Sequence, residues 1–324
     1  MPRCHEKASD ATLACGEHST RISMHQASLI SNRLVELRPH ICSEFQRKPR
    51  ALSDIARWKA VEFRLFLCYV GPVVLRDILL SKLYHHFMLL HVSVVMLLDP
   101  VHAIERCEDA SKLLRKFVSQ MCKLYGRDSI VYSIHSLIHV CDDVKHFGAL
   151  DSYSAFCFEN YLGQLKRLIR SGRAPLAQLC RRLAEQSVVE ETMNRSDSCP
   201  LLYGIHSHGP TCGIVGVQYN KMQYMGCVFC RNNVADCYAL LKCGSIMKIV
   251  NIIDNENVFL IGQAFEEKTS FYRYPCDSQL LDVFKVNRLC KKAVVFHHSD
   301  IVRKCMVLPW KKFFICYPLL HAQQ

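Results

Sequence analysis

Apolar residues in this chain keep a three-to-four spacing as far as about residue 188, and beyond Gly216 they fall into short β-rich runs. One change of period along the chain sets an α+β class, with helices first and strands second. Ile30, Leu34 and Leu37 predict a helix over 28–38 that Pro39 closes. Ser53 or Asp54 is placed to cap a helix through Trp58, Val61, Phe63 and Phe66, ending at Gly71-Pro72. Residues 73–98 and 103–125 predict two buried or half-buried helices separated by Asp99-Pro100. Further helices are expected over 129–147, over 155–170, and from Pro175 to about Val188.

The stretch RSDSCPLLYGIHSHGPTCG packs Gly, Pro and Ser into a link. After it come CYALLKC, SIMKIVNII, NVFLIGQAF, SFYRY, LLDVFKV, AVVFHH and KKFFICYPLL, whose close spacing predicts a small antiparallel barrel or sandwich. The expected organisation is a tail over 1–27, a helical domain over 28–190, a linker over 191–215 and a β-rich domain over 216–321.

The composition narrows the class of function. Half of the 324 residues are apolar, enough for a real core. The longest apolar run, Phe87 to Leu98, is 12 residues and includes His91 and Ser93, short of a bilayer span, so no membrane partner is expected. The opening MPRCHEKASDATLACGEHSTR lacks the continuous apolar stretch of a secretory signal. Nineteen scattered cysteines fit a reducing compartment, nuclear or cytoplasmic, with most of them buried thiols. A net charge of +12 favours an anionic partner, and DNA or chromatin leads.

Two stripes carry chemistry. On a continuous helix, His135, His139, Asp142 and His146 share one face; the i, i+4 imidazoles can converge on a metal, or simply belong to a polar face. Glu159, Gly163, Lys166 and Arg170 form a second stripe, opposite a side of Phe158, Tyr161, Leu162, Leu165, Leu168 and Ile169 expected to be buried. That stripe suits phosphate and a metal ion, or is an ordinary solvated face. Cations concentrate over Lys166 to Arg182, as Lys166, Arg167, Arg170, Arg173, Arg181 and Arg182. Eight more lie over Lys285 to Lys312 with Asp300 as the single acid, beside Phe284, Phe296, Trp310, Phe313 and Phe314, which either stack on bases or fill the core. Cys227 and Cys230, with His206, His208, Cys212, Cys237 and Cys243 nearby, are either an irregular zinc centre or scattered thiols.

The runs ISNRLVELRPHICSEFQRKPRALSDIARWKAVEFRLFLCYVGPVVL and LYGRDSIVYSIHSLIHVCDDVKHFGALDSYSAFCFENYLGQLKRLIR closely resemble the C-terminal portion of animal CACTA (En/Spm)-type transposases, over roughly residues 28–190. EEKTSFYRYPCDSQLL resembles the tail domain that follows in the same proteins. The resemblance implies that the helical part is a remnant of an RNase-H-like core, in which three acidic residues hold two Mg2+ ions for phosphoryl transfer. It places Glu159 in FENYLGQLKRLIR as the third acidic residue, and His135 and His139 as half of a Zn2+ site completed by a CxxC elsewhere. The first two acidic residues belong upstream of residue 28. Asp99, after VVMLLD, sits at the end of a helix-like run and is not expected to replace them.

One carboxylate does not fix two Mg2+ ions, so the expected protein is a truncated transposon-derived chain without unaided catalysis. It would bind DNA through its basic surfaces, with an upstream transposase core or another transposase chain as a further partner. The alternative is a helical protein-interaction module with a peptide-binding β-rich tail. A self-sufficient enzyme would need two of Asp142, Asp143 and Asp151 beside Glu159.

Overall fold

The computed structural model describes residues 20–192 and 199–320, with backbone alone at 157, 159, 160 and 186–192. Helices fill the N-terminal half and a large antiparallel sheet the C-terminal part. The helices are α1 (Met24–Glu36), α2 (Ala60–Leu65), α3 (Gly71–Val74), α4 (Ser81–Leu98), α5 (Cys107–Tyr125), α6 (Tyr132–His135), α7 (Val140–Phe147), α8 (Phe156–Leu168) and α9 (Pro175–Thr192). Ser23 caps α1 through a reciprocal bond pair with Gln26.

Gly71-Pro72 does not end a helix as expected; the chain passes through it. A single π-helical turn, Phe66–Val70, joins α2 to α3, with Gly71 N donating to Phe66 O. The wider turn relieves the clash of the Pro72 ring with the preceding carbonyls, but Pro72 has no N–H for Leu67 O. His91, 24 residues on, supplies it: its Nδ1 donates to Leu67 O at 2.8 Å, and its Nε2 faces the Tyr272 hydroxyl at 3.4 Å. A side chain at residue 71 would collide with Phe66 O and the Phe87 ring, so glycine is required where α4 crosses this turn.

The single helix expected over 73–98 is two, because the chain turns between Val74 and Ser81 with Asp77 at φ 63°. By length and composition α4 is apolar enough to cross a membrane, and it runs through the protein core, with His86 and His91 buried and hydrogen-bonded to Phe117 O and Leu67 O. The helix expected over 129–147 is also broken, into α6, a 3-10 turn at Ser136–His139, and α7.

The ten strands among the described residues are β1 (Leu201–His206), β2 (Val217–Tyr224), β3 (Cys227–Cys230), β4 (Tyr238–Leu241), β5 (Ile246–Asn255), β6 (Asn257–Ser270), β7 (Phe284–Leu289), β8 (Val294–His297), β9 (Ile301–Trp310) and β10 (Phe313–Pro318). Antiparallel pairings run β5-β4-β9-β10-β7-β6, and β6 returns to β5, so six strands close a ring. Tyr238, Leu240, Val286, Cys305, Val307 and Cys316 fill it. Alternate residues of β9 and β10 (Met306, Leu308, Ile315 and Tyr317) point the other way and share one core with Leu34, Val73, Met88 and Leu97 of the helices. Strands β1, β2, β3 and β8 flank the ring.

The link expected over 191–215 contains β1, paired along β2 from Leu201↔Gln223 to His206↔Gln218. Its apolar residues are interrupted by Gly204 at φ 71°, which hid the strand. SFYRY, expected as a strand, leaves the sheet at Ser270. β9 is missing from the expected runs because Arg303, Lys304 and Pro309 break its apolar pattern.

Lys304 is buried and Arg303 half-buried, and both bond to the helical half. Lys304 Nζ donates to Asp236 Oδ1 and Val228 O, each at 2.5 Å, and to the Glu44 oxygens at 2.8 and 2.9 Å. Asp236 also accepts from the Ser43 amide and hydroxyl and from Asn233 Nδ2, and Glu44 from the Val228 amide. Burial works against the ammonium, but the adjoining Cys42, Glu44 and Asp236 outweigh it and hold its pKa above the usual lysine value. Next to it, Arg303 bonds Asp99 Oδ1 at 2.9 Å, while His102 and Arg106 share Oδ2. Burial would raise the Asp99 pKa, but the bonds from Arg303 and His102 bring it down to about 2.

Two predictions follow from these contacts. Lys304→Met strands two carboxylates in the interior and should lower unfolding free energy in urea by about 3–5 kcal/mol, partly recovered by adding Glu44→Gln and Asp236→Asn. An unchanged urea midpoint would contradict this. Burial lowers the His91 pKa to about 4. The folded state therefore binds fewer protons than the unfolded chain between about pH 6.5 and 4, and stability falls as pH falls through that window, by up to about 3 kcal/mol. His91→Gln lacks this titration, so the wild type should lose stability relative to that variant when both are melted at pH 7 and then at pH 4.5.

Candidate nucleic-acid interface

Helices α8 and α9 pack on each other as an arm. Phe156, at its base, lies under the Arg64 guanidinium at 5.1 Å, and Arg64 is held by Asp151 at 2.5 and 2.7 Å. Asp151 is thus occupied by a structural ion pair and is not placed as a metal ligand. The turn between the helices is tied by one side chain. Gln178 accepts from the Arg170 amide through Oε1 at 3.0 Å, and its Nε2 donates to Ser171 O, Ser171 Oγ and Arg173 O. A polar residue in a helical run gave no sequence signal for this role.

Of the six cations expected to hold phosphate, Lys166, Arg167, Arg170 and Arg173 are exposed. Among the described residues no carboxylate pairs with any of them; Arg167 Nε donates to Gly163 O at 3.3 Å. Arg181 and Arg182 differ, since Glu185 pairs with the first at 3.0 Å and the second at 3.7 Å. A Cβ at Gly163 would meet nothing within 4 Å, so the surface beside Lys166 is clear. The side of α8 expected to be buried is covered only in part: Leu165, Leu168 and Ile169 are half-buried, whereas Phe158, Tyr161 and Leu162 are 66%, 51% and 54% exposed.

Half of the cations in the other basic region are engaged within the fold, whereas Lys285, Lys291, Lys292 and Lys312 form no ion pair among the described residues. Lys304 and Arg303 point inward to Glu44, Asp236 and Asp99; Lys311 pairs with Asp77 at 2.7 Å, and Arg288 with Glu266 and Glu267. Phe284 and Phe296 are buried, and Phe313, Phe314 and Trp310 are half-buried. Stacking on bases is closed to the buried pair.

Glu159 lies on α8, and its side chain falls outside the described residues. The broken helix changes the rotation between residues, yet the rings of His135 and His139 still lie 5.7 Å apart, both exposed. They supply two of the four ligands that zinc takes, and the described residues bring no third to them, so they do not fit a closed zinc site by themselves. His146 Nδ1 bonds Asp142 O, turning that ring along its own helix. Cys227 is buried and Cys230 half-buried on strand β3, three residues apart and so on opposite faces, which excludes joint coordination of one ion. Cys42, Glu44 and Asp236 bring ligand atoms within 4.8 Å of one another, but Lys304 Nζ already bonds both carboxylates and supplies the positive charge there.

Residues 205–319, from the end of β1 through β10, match a family model described as a Domain of unknown function (DUF8592). No curated protein and no solved structure matches the chain.

Gln178→Ala should free the 169–174 turn. Losing about 1 kcal/mol of local stability makes tryptic cleavage after Arg170 and Arg173 about fivefold faster, while the barrel melts unchanged. Equal cleavage rates in mutant and wild type would refute the tie.

Proposed function

We propose that this chain is a polynucleotide-binding remnant of a CACTA-like transposase, contacting phosphates through the tip of the α8–α9 arm. The observation that carries this is the set of four exposed cations, Lys166, Arg167, Arg170 and Arg173, unpaired with any carboxylate among the described residues. Such cations release counterions from a polyanion and bind without regard to sequence. The helical half is read as descending from an RNase-H-like core, with Glu159 as its third acidic residue. Asp151 is engaged by Arg64, which leaves Asp142 and Asp143 as the other nearby carboxylates; in this reading strand cleavage depends on an upstream core or a second transposase chain. Zn2+ on His135 and His139 would likewise need ligands from elsewhere.

The alternative of a protein-interaction module draws on the exposed apolar residues of the same arm, and salt dependence separates the two. Anisotropy of a labelled duplex should show binding at low salt that weakens with a log–log slope of about −3 to −4, as three or four phosphate contacts require. The combined substitution Lys166→Glu, Arg167→Glu, Arg170→Glu and Arg173→Glu should abolish it, whereas Lys291→Glu with Lys292→Glu on the barrel should leave it intact. Absence of binding at low salt, or loss with the barrel variant alone, would overturn the assignment.

A further inference from the structure

Resting on that reading, we infer that the arm prefers single-stranded polynucleotide to duplex, with bases stacking on Phe158 and Tyr161. These two aromatics and Leu162 occupy positions i, i+3 and i+4 of α8 and form one continuous exposed strip. Lys166 follows Leu162 one turn on, and Arg167, Arg170 and Arg173 lie beyond it toward the turn. The axial step between Phe158 and Tyr161 is about 4.5 Å, wider than the ~3.4 Å between stacked bases of one strand, so the strip suits an unstacked single strand whose bases lie on separate rings. Large aromatic side chains at this exposure, flanked by cations that pair with no carboxylate among the described residues, combine the two elements that single strands require: a π-face for a base and a positive track for the backbone.

The charge of the arm selects this occupant over an apolar protein surface. Over 166–173 the sequence places four cations and no acid, while the acids of the arm, Glu159, Glu185, Glu190 and Glu191, lie outside that stretch, so a partner at the tip has to be anionic. Duplex DNA meets the cations but keeps its base faces stacked inside, out of reach of Phe158 and Tyr161. A single strand meets both sets. Arg64, seated on Phe156, ties the first turn of α8 to the body of the protein.

The test compares the full chain with labelled oligothymidine of about 20 nucleotides and a duplex of equal length at one salt concentration. The wild type should bind the single strand at least about tenfold more tightly. Phe158→Ala with Tyr161→Ala should weaken single-strand binding about ten- to hundredfold and leave duplex binding unchanged. Phe158→Tyr with Tyr161→Phe keeps both rings and should keep the preference, which separates stacking from a loss of folding. Equal affinity for both oligomers, with a normal salt slope, would overturn the stacking inference and leave the phosphate-binding reading standing. Binding to neither would remove both. Self-association of the wild type that the alanine pair abolishes, without an effect on oligothymidine, would assign the strip to a second copy and also overturn the inference.

Discussion

A single ammonium group fixes how the helices sit on the barrel. Lys304, on the barrel strand β9, has no exposed side-chain surface, and its partners come from both halves: Glu44 from the segment between α1 and α2, Asp236 and the Val228 carbonyl from the sheet. Its neighbour Arg303 reaches Asp99 at the end of α4. Two adjacent residues of one strand thus reach opposite ends of the helical half. The next residues of the strand, Met306 and Leu308, then lie against helical side chains in one shared core. Buried charges tolerate few alternative placements, because each one displaced leaves an uncompensated partner. They specify the docking geometry that apolar packing alone would leave free.

The same logic of completing an unsatisfied group runs through the helical half. Pro72 leaves Leu67 O without its donor, and His91 provides one from the next helix, held in turn by Tyr272 from the loop after β6. Tyr69, on the π-helical turn, accepts from the Leu320 amide at the far end of the barrel. These contacts tie α4 and the π-helical turn to the barrel, while the strip Phe158, Tyr161 and Leu162 on α8 stays exposed. An arm attached to a fixed body is the geometry that a linear polyanion can run along.

Much of this architecture was legible in the sequence, and what was not has physical causes. The order of helices and strands followed from the change in apolar period, and α1, α5, α8 and α9 fell close to their expected places. The Pro72 passage was misread because a proline stops an α-helix but not a π-helical turn backed by an outside donor. β9 was missed because its two central cations are paired out of sequence, with residues that precede them by about 200 and 260 positions. For the same reason four of the eight cations over 285–312, namely Arg288, Arg303, Lys304 and Lys311, are not free surface charges. Four of the six cations named on the arm are exposed and pair with no carboxylate among the described residues, whereas the exposure of Phe158 and Tyr161 was not foreseen, since amphipathic spacing says which residues share a face and not whether another element covers it.

Hydrogen–deuterium exchange on the full chain, with and without saturating oligothymidine, tests the central claim most directly. Slowed exchange confined to residues 156–192, with 284–312 unchanged, is the result required by an arm that binds and a barrel that does not. Protection across 284–312 with no change in the arm would contradict it.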